Sequence, residues 1–208
     1  MPVRVKVCGI TRVDDALAAA QLGAYAIGFV FWTKSARYIS PHVARKIITA
    51  LPPFISVVGV YVDPDPGWVE ETCSVAGLSL LQFHGDESPE FCSQFSLPYI
   101  KAVRFKTGVD LLQYAAHYSR ASALLLDTYI EGIPGGTGHT FDWSLIPQNL
   151  SLPLILSGGL HADNVSAAIE QARPWAVDVS SGVEVAKGIK DADKIAAFMT
   201  GVRNGESL

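Results

Sequence analysis

The chain has 208 residues, 49% of them hydrophobic and 17% charged, with a formal net charge of −4. So apolar a composition excludes a disordered chain, and this length buries a full-sized core within one domain. The mildly acidic balance lacks the basic footprint of a nucleic-acid or membrane-surface binder.

The opening MPVRVKVCGI alternates like a strand rather than a signal core, and no apolar run reaches the ~18 residues of a membrane helix. Cys8, Cys73 and Cys92 are odd in number and far apart, with no CxxC or Cys/His cluster. Neither a zinc site nor a disulfide scaffold is therefore expected. A cytoplasmic protein with no metal, no cofactor and no nucleic-acid or membrane partner is the reading.

In chain order, apolar and β-branched runs predict strands at 3–8, 26–31, 56–62, 79–84, 99–104, 123–127, 153–157 and 176–180. Helical patterns fill the gaps at 13–22, 41–51, 66–77, 88–95, 109–118, 142–146, 162–172 and 192–202. Ser40-Pro41 and Asp65-Pro66 read as N-caps with proline at the first helical position. Gly23 and Gly77 stand where C-cap glycines belong. Eight strand–helix units of about 26 residues predict a single (β/α)8 barrel domain over 1–208, near the short end for that fold. The competing arrangement is an open doubly wound sheet, but no GxGxxG follows the first strand to support its dinucleotide-binding version.

A barrel of this kind keeps its chemistry at the C-terminal ends of its strands. Those ends carry Lys6 and Cys8, Phe31, Tyr61 and Asp63, Gln82 and His84, Arg104, Asp127, Ser157, and Asp178 and Ser180. Alternation puts Lys6 with Cys8, Gln82 with His84, and Asp178 with Ser180 on common faces. Lys6, His84 and Asp178 read as substrate-binding positions. A helix N-terminus beyond Gly9-Ile10-Thr11, with Lys6 and Arg12 nearby, is expected to lower the Cys8 thiol pKa. Cys73 and Cys92 lie in helical patterns with apolar neighbours and read as packing residues. Gly158-Gly159 after the seventh strand and Ser181-Gly182 after the eighth occupy the two loops that cradle phosphate in such barrels. A phosphorylated small molecule is the expected ligand. The glycine-rich loop 128–141 directly after Asp127 reads as a lid.

The ordered motifs KVCGIT, FxxxSxRYIS at 31–40, VGVYVD, QFHGDE, KAVR, LLLDT, GGTGHTFDW, LSGGLHADNV, VDVSSGVE and GIKD resemble the phosphoribosylanthranilate isomerase family over about residues 6–198. That resemblance implies a cofactor-free Amadori rearrangement in tryptophan biosynthesis. It implies Cys8 as general base, Asp127 as general acid and Arg37 as the holder of the anthranilate carboxylate. It also implies the glycine turns as the phosphate site, and a monomer or homodimer. Ala36, Asp63, Phe83 and Ser157 depart from the family's usual residues without touching acid, base or phosphate turns. Two rivals remain at this point. Another sugar-phosphate isomerase would use metal-bound histidines or paired aspartates, yet only His84 lies at a strand end. A non-catalytic phosphate-binding barrel would need neither a rim thiol nor a rim carboxyl.

Overall fold

Strands covered on both faces need apolar residues at nearly every position, and segments such as AIGFV and ALLLD supply them. A computed structural model describes residues 2–104, 109–127, 143, 146–147 and 149–206. Its parallel strands follow one another around a closed barrel: β1 (Arg4–Cys8), β2 (Ala26–Val30), β3 (Ser56–Tyr61), β4 (Leu80–Phe83), β5 (Tyr99–Arg104), β6 (Ala123–Asp127), β7 (Leu154–Ser157) and β8 (Ala176–Val179). β8 returns to β1 with Asp178 opposite Lys6, and the ring shuts. Outside it run α1 (Val13–Gln21), α2 (Pro41–Ile48), α3 (Pro66–Ala76), α4 (Pro89–Ser93), α5 (Leu111–His117), α6 (Val165–Ala172) and α7 (Ala192–Glu206). Among the described residues, no helix is long and apolar enough to cross a membrane.

The helix starts follow local chemistry. Asp65 caps α3 by accepting from Gly67 N, and Asp110 caps α5 by accepting from Leu112 N and Gln113 N. Ser40 holds the extended N-cap backbone before Pro41, but its side chain accepts no capping bond. Gly77 ends α3 in the left-handed conformation at φ 78°. α6 begins at Val165 instead of 162, because Asn164 is engaged in the preceding turn. Its side chain accepts from His161 N and donates to Gly159 O. The expected lid at 128–141 lies outside the described residues, as does most of the expected helix at 142–146.

One feature had no counterpart in the expected pattern. After β8 comes a single 3-10 turn (Ser181–Val183), then an antiparallel ribbon of β9 (Glu184–Ala186) and β10 (Ile189–Lys190). Strands this short carry no periodicity to read.

Alternation sorts the core into two layers. Ile100, Ala102, Ala123, Leu125, Ile155 and Ala176 fill the barrel interior, with Cys8, Val30 and Val60 forming a second interior group. Since residues 30 and 60 face inward, Phe31 and Tyr61 face outward, not into the mouth as expected from their strand-end positions. Tyr61 shares a 2.6 Å hydrogen bond with Thr72 of α3 and lies 5.7 Å, ring to ring, from Phe31. Phe83, fully buried, gathers Tyr61, Phe91, Phe95 and Tyr99 with ring centroids 5.7–6.0 Å away. Phe83→Ala should cost about 3–5 kcal/mol in urea unfolding, because rigid strands on one side limit collapse into the cavity. A loss under about 1 kcal/mol would show that α4 can close over the gap.

Candidate active site

Lys6 and Cys8 point inward near the end of β1, and their neighbours decide their chemistry. Lys6 donates to Asp178 at 2.8 Å across the β1–β8 seam, both side chains about 5% exposed. Asp178 also accepts from Ser157 Oγ at 3.4 Å. Gly28 on β2 makes the space beside them. A Cβ there would stand 2.9 Å from Cys8 Sγ and 3.2 Å from Lys6 Cε. The signal for Gly28 in the sequence is that of a lone glycine inside a strand, which marks such a close approach.

The expected lowering of the Cys8 pKa is not what the surroundings produce. Burial pushes the thiol up, Lys6 pulls it down and Asp178 pushes it up again, and the balance lies above the ordinary thiol value. Arg12 gives no help, since its half-exposed guanidinium turns to Asp14 and Asp15 at 3.9–4.0 Å. Burial pulls Lys6 down, but Asp178 and Cys8 outweigh it and hold the ammonium above its ordinary value. The thiol therefore needs its lysine.

Across the ring, Asp127 ends β6 and its Oδ2 lies 3.1 Å from His84 Nε2. His84 Nδ1 in turn lies 3.1 Å from Gln82 Nε2. Gln82 Oε1 is buried and has no partner among the described residues. The turn bearing His84 is fixed from behind by a pair outside the barrel. Lys101, wholly buried, donates to Gly85 O at 2.6 Å and to Glu87 Oε2 at 2.9 Å. Glu87 accepts from Asp63 N and Gly85 N, which joins the ends of β3, β4 and β5. Asp63 thus serves the turn rather than the mouth, and its Oδ1 accepts from Asp86 N.

Arg37 arrives on the loop after β2. Its Nε and Nη2 each donate to Glu184 at 2.7 Å in a two-pronged pair. Glu184 also accepts from Lys190 Nζ at 2.8 Å and Gly188 N at 3.1 Å. Burial pushes the Glu184 carboxyl up, yet the bonds from Arg37 and Lys190 outweigh it and hold the group at about 2. Burial keeps Lys190 below its ordinary value despite Glu184. Neither Glu184 nor Lys190 was singled out from the sequence. Their signal there is their place in the motifs VDVSSGVE and GIKD, which gave them no role of their own.

The two glycine turns meet. Gly158 and Gly159 both adopt left-handed φ values, 88° and 64°. A Cβ on Gly159 would find nothing within 4 Å, whereas one on Gly182 would fall 2.0 Å from Leu160 O. Ser181 opens the 3-10 turn beside them. The arrangement is an open backbone surface at Gly159 with a second turn locked against the same loop. Among the described residues, no group of three or more His, Cys, Asp or Glu is gathered as a metal ligand set.

Alkylation of Cys8 by iodoacetamide, mapped by mass spectrometry, should rise with pH to a midpoint above the ordinary thiol value of about 8.5. Lys6→Met should move that midpoint higher still, because the charge that favours thiolate is gone. A wild-type midpoint below about 8 would mean that the unliganded protein already holds a thiolate.

Residues 5–201 match the family described as N-(5'phosphoribosyl)anthranilate (PRA) isomerase. An N-(5'-phosphoribosyl)anthranilate isomerase of Nitrosospira multiformis is 74% identical over all 208 residues of both chains. That of Nitrosomonas eutropha is 65% identical over the same length. The crystal structure of phosphoribosyl anthranilate isomerase from Thermotoga maritima superposes with a TM-score of 0.89 at 45% identity, covering 99% of this chain and 100% of that one. A phosphoribosyl anthranilate isomerase in complex with reduced 1-(o-carboxyphenylamino)-1-deoxyribulose 5-phosphate gives a TM-score of 0.86 at 43% identity over the same shares. On matches of this identity and coverage, the chain belongs to the phosphoribosylanthranilate isomerase family.

Proposed function

We propose that the protein converts N-(5-phosphoribosyl)anthranilate to 1-(2-carboxyphenylamino)-1-deoxyribulose 5-phosphate in L-tryptophan biosynthesis, using its own acid and base. The observation that carries this reading is an inward thiol on β1 and a rim carboxyl on β6, three strands apart the short way round the closed barrel. Asp127 gives a proton to the furanose oxygen as the C1–O bond breaks. The anilino nitrogen's lone pair then forms a C1=N iminium. That cation acidifies the C2 hydrogen, and Cys8 as thiolate removes it. The C2–H electrons form C1=C2, giving an enaminol. The enaminol ketonises when C1 takes a proton and the C2 hydroxyl releases one.

Each neighbour has a part in this reading. Lys6 and Lys190 oppose the burial that keeps Cys8 protonated, and the iminium adds its own positive charge at the moment the thiolate is needed. His84 Nε2 orients Asp127 and shares its proton. Asp178 holds Lys6 in place. Arg37 takes the anthranilate carboxylate, and the Gly158-Gly159 and Ser181-Gly182 turns take the phosphate through backbone N–H groups. Cys8, Cys73 and Cys92 are all free thiols, which suits a reducing cytoplasm.

With substrate supplied through a coupled phosphoribosyltransferase and product followed by fluorescence, Cys8→Ala and Asp127→Asn should each lose about 10²–10⁴ in kcat. Both should bind the reduced product analogue within about threefold of wild type, since neither group is asked for ground-state affinity. More than about a tenth of wild-type activity in Cys8→Ala would assign the base to another residue.

A homodimer is part of the same reading. A phosphoribosylanthranilate isomerase of Thermotoga maritima is described as dimeric. Here Tyr25, Phe54 and Trp175 all precede strands on the face opposite the mouth, with Phe54 wholly exposed at φ 74°. An exposed phenylalanine in a strained conformation marks a contact surface, and a second copy of the chain is its occupant. Sedimentation equilibrium should find a dimer, and Phe54→Asp should yield monomers with kcat intact. A monomeric wild type would remove this part.

A further inference from the structure

The ribbon β9–β10 sits beside the mouth and is held to the barrel from two sides. Thr11 Oγ1 donates to Gly188 O, and Lys190 N donates to Asp15 Oδ2 at 2.9 Å. Glu184 is therefore a fixed anion. Its two oxygens receive four donors, which uses the acceptor capacity of a carboxylate. Arg37 is constrained along its whole length. A Cβ on Gly9, itself at φ 75°, would lie 2.5 Å from Arg37 Cδ and 3.4 Å from its Cβ. The aliphatic stem thus crosses directly over the glycine that follows Cys8, and the head is caught by Glu184. Ala36 O lies 3.7 Å from where a Cβ on Gly188 would stand, so the ribbon also abuts the Arg37 loop.

We propose that Glu184 is a positioning and specificity residue. By holding the Nε–Nη2 edge of Arg37, it offers the Nη1–Nη2 end to a planar carboxylate, and so selects substrates whose aromatic end bears one. This rests on the reading of Arg37 as the carboxylate holder. The geometry follows from the guanidinium itself. Its five N–H groups form two two-pronged edges in one plane, Nε–Nη2 and Nη1–Nη2, with one Nη1 N–H left on the Cδ side, and a carboxylate occupying one edge fixes the direction of the other. Without Glu184, Arg37 would keep its charge and lose its direction, because the long side chain regains rotamer freedom. The negative charge of Glu184 also tempers the local field. Arg37, Lys190 and Glu184 together carry +1, which suits one carboxylate and disfavours a dianion.

A residue that merely neutralised Lys190 would affect every ligand alike. Two ligands separate the cases: the reduced product analogue, and its counterpart with a hydrogen in place of the ring carboxylate. In Glu184→Gln the amide NH2 faces donors, so one prong of the Arg37 pair is lost. Its affinity for the carboxylated analogue should fall by about tenfold or more, with less than a twofold change for the carboxylate-free one. KM should rise to match while kcat stays within about threefold. Adding Glu184→Gln to Arg37→Ala should weaken binding of the carboxylated analogue no further, since the effect runs through Arg37. Glu184→Asp, which keeps the charge, supplies a second variant if the amide fails to fold, and should give an intermediate loss. Equal weakening of both analogues, or no weakening of either, overturns the proposal. If wild type itself binds the two analogues equally, the role given to Arg37 fails first, and that outcome is recognisable without any Glu184 variant.

Discussion

Lys6 and Asp178 face each other where the last strand meets the first, inside a barrel whose interior clusters are, Cys8 apart, alanine, valine, leucine and isoleucine. A buried ion pair in such surroundings gains little net stability, since desolvation offsets attraction, and apolar replacements of similar volume are often tolerated. Its presence in the ring is better explained by the thiol two residues along β1. Burial alone would leave Cys8 a poor base, and the Lys6 ammonium is the nearest opposing influence. Asp178 keeps that ammonium charged at the cost of pushing the thiol back up. The result is a thiol whose charged form burial opposes and one fixed cation two residues away favours.

The rest of the mouth follows the same logic of paired charges. Every cation near Cys8 has an acidic partner: Lys6 with Asp178, and Arg37 and Lys190 with Glu184. Fixed dipoles and partnered ions do not reorganise when the substrate changes charge, which is what electrostatic preorganisation requires. The glycines serve this arrangement by subtraction. Gly28 admits the thiol beside Lys6, Gly9 lets the Arg37 stem cross, and Gly182 lets one turn press against Leu160.

Much of this was legible in the sequence, for identifiable reasons. Strands of a parallel barrel are buried on both faces, so runs such as YIKAVR and ALLLD stand out, and their expected limits match β5 and β6 residue for residue. The ends of those strands pointed to Lys6, Cys8, His84, Asp127 and Asp178, all of which line the interior or the rim. Other features depended on information that periodicity does not hold. Phe31 and Tyr61 sit at strand ends but on the outward parity, which only the register of Val30 and Val60 reveals. The sign of the Cys8 shift depended on burial and on Arg12 turning away, both tertiary facts. The partner of Arg37 lies 147 positions away on a two-strand ribbon too short to leave a pattern.

Two of the buried lysine pairs show why location decides function. Lys101 and Glu87 lie between the sheet and its helices, where their bonds go to backbone groups at the ends of β3 and β4. There the pair acts as a strut, and its charges are spent on holding the His84 turn in one conformation. Lys6 and Asp178 differ only in parity, one residue's rotation to the inside of the ring, yet that turns the same chemistry toward a thiol. On the outside a buried charge pair fixes shape, because the donors that Lys101 does not give to Glu87 find backbone acceptors. On the inside it leaves a field at the barrel mouth, beside Cys8. The barrel's alternation therefore assigns similar charge pairs to scaffold or to mouth: the His84 turn rests on the strut, and Cys8 lies in the field.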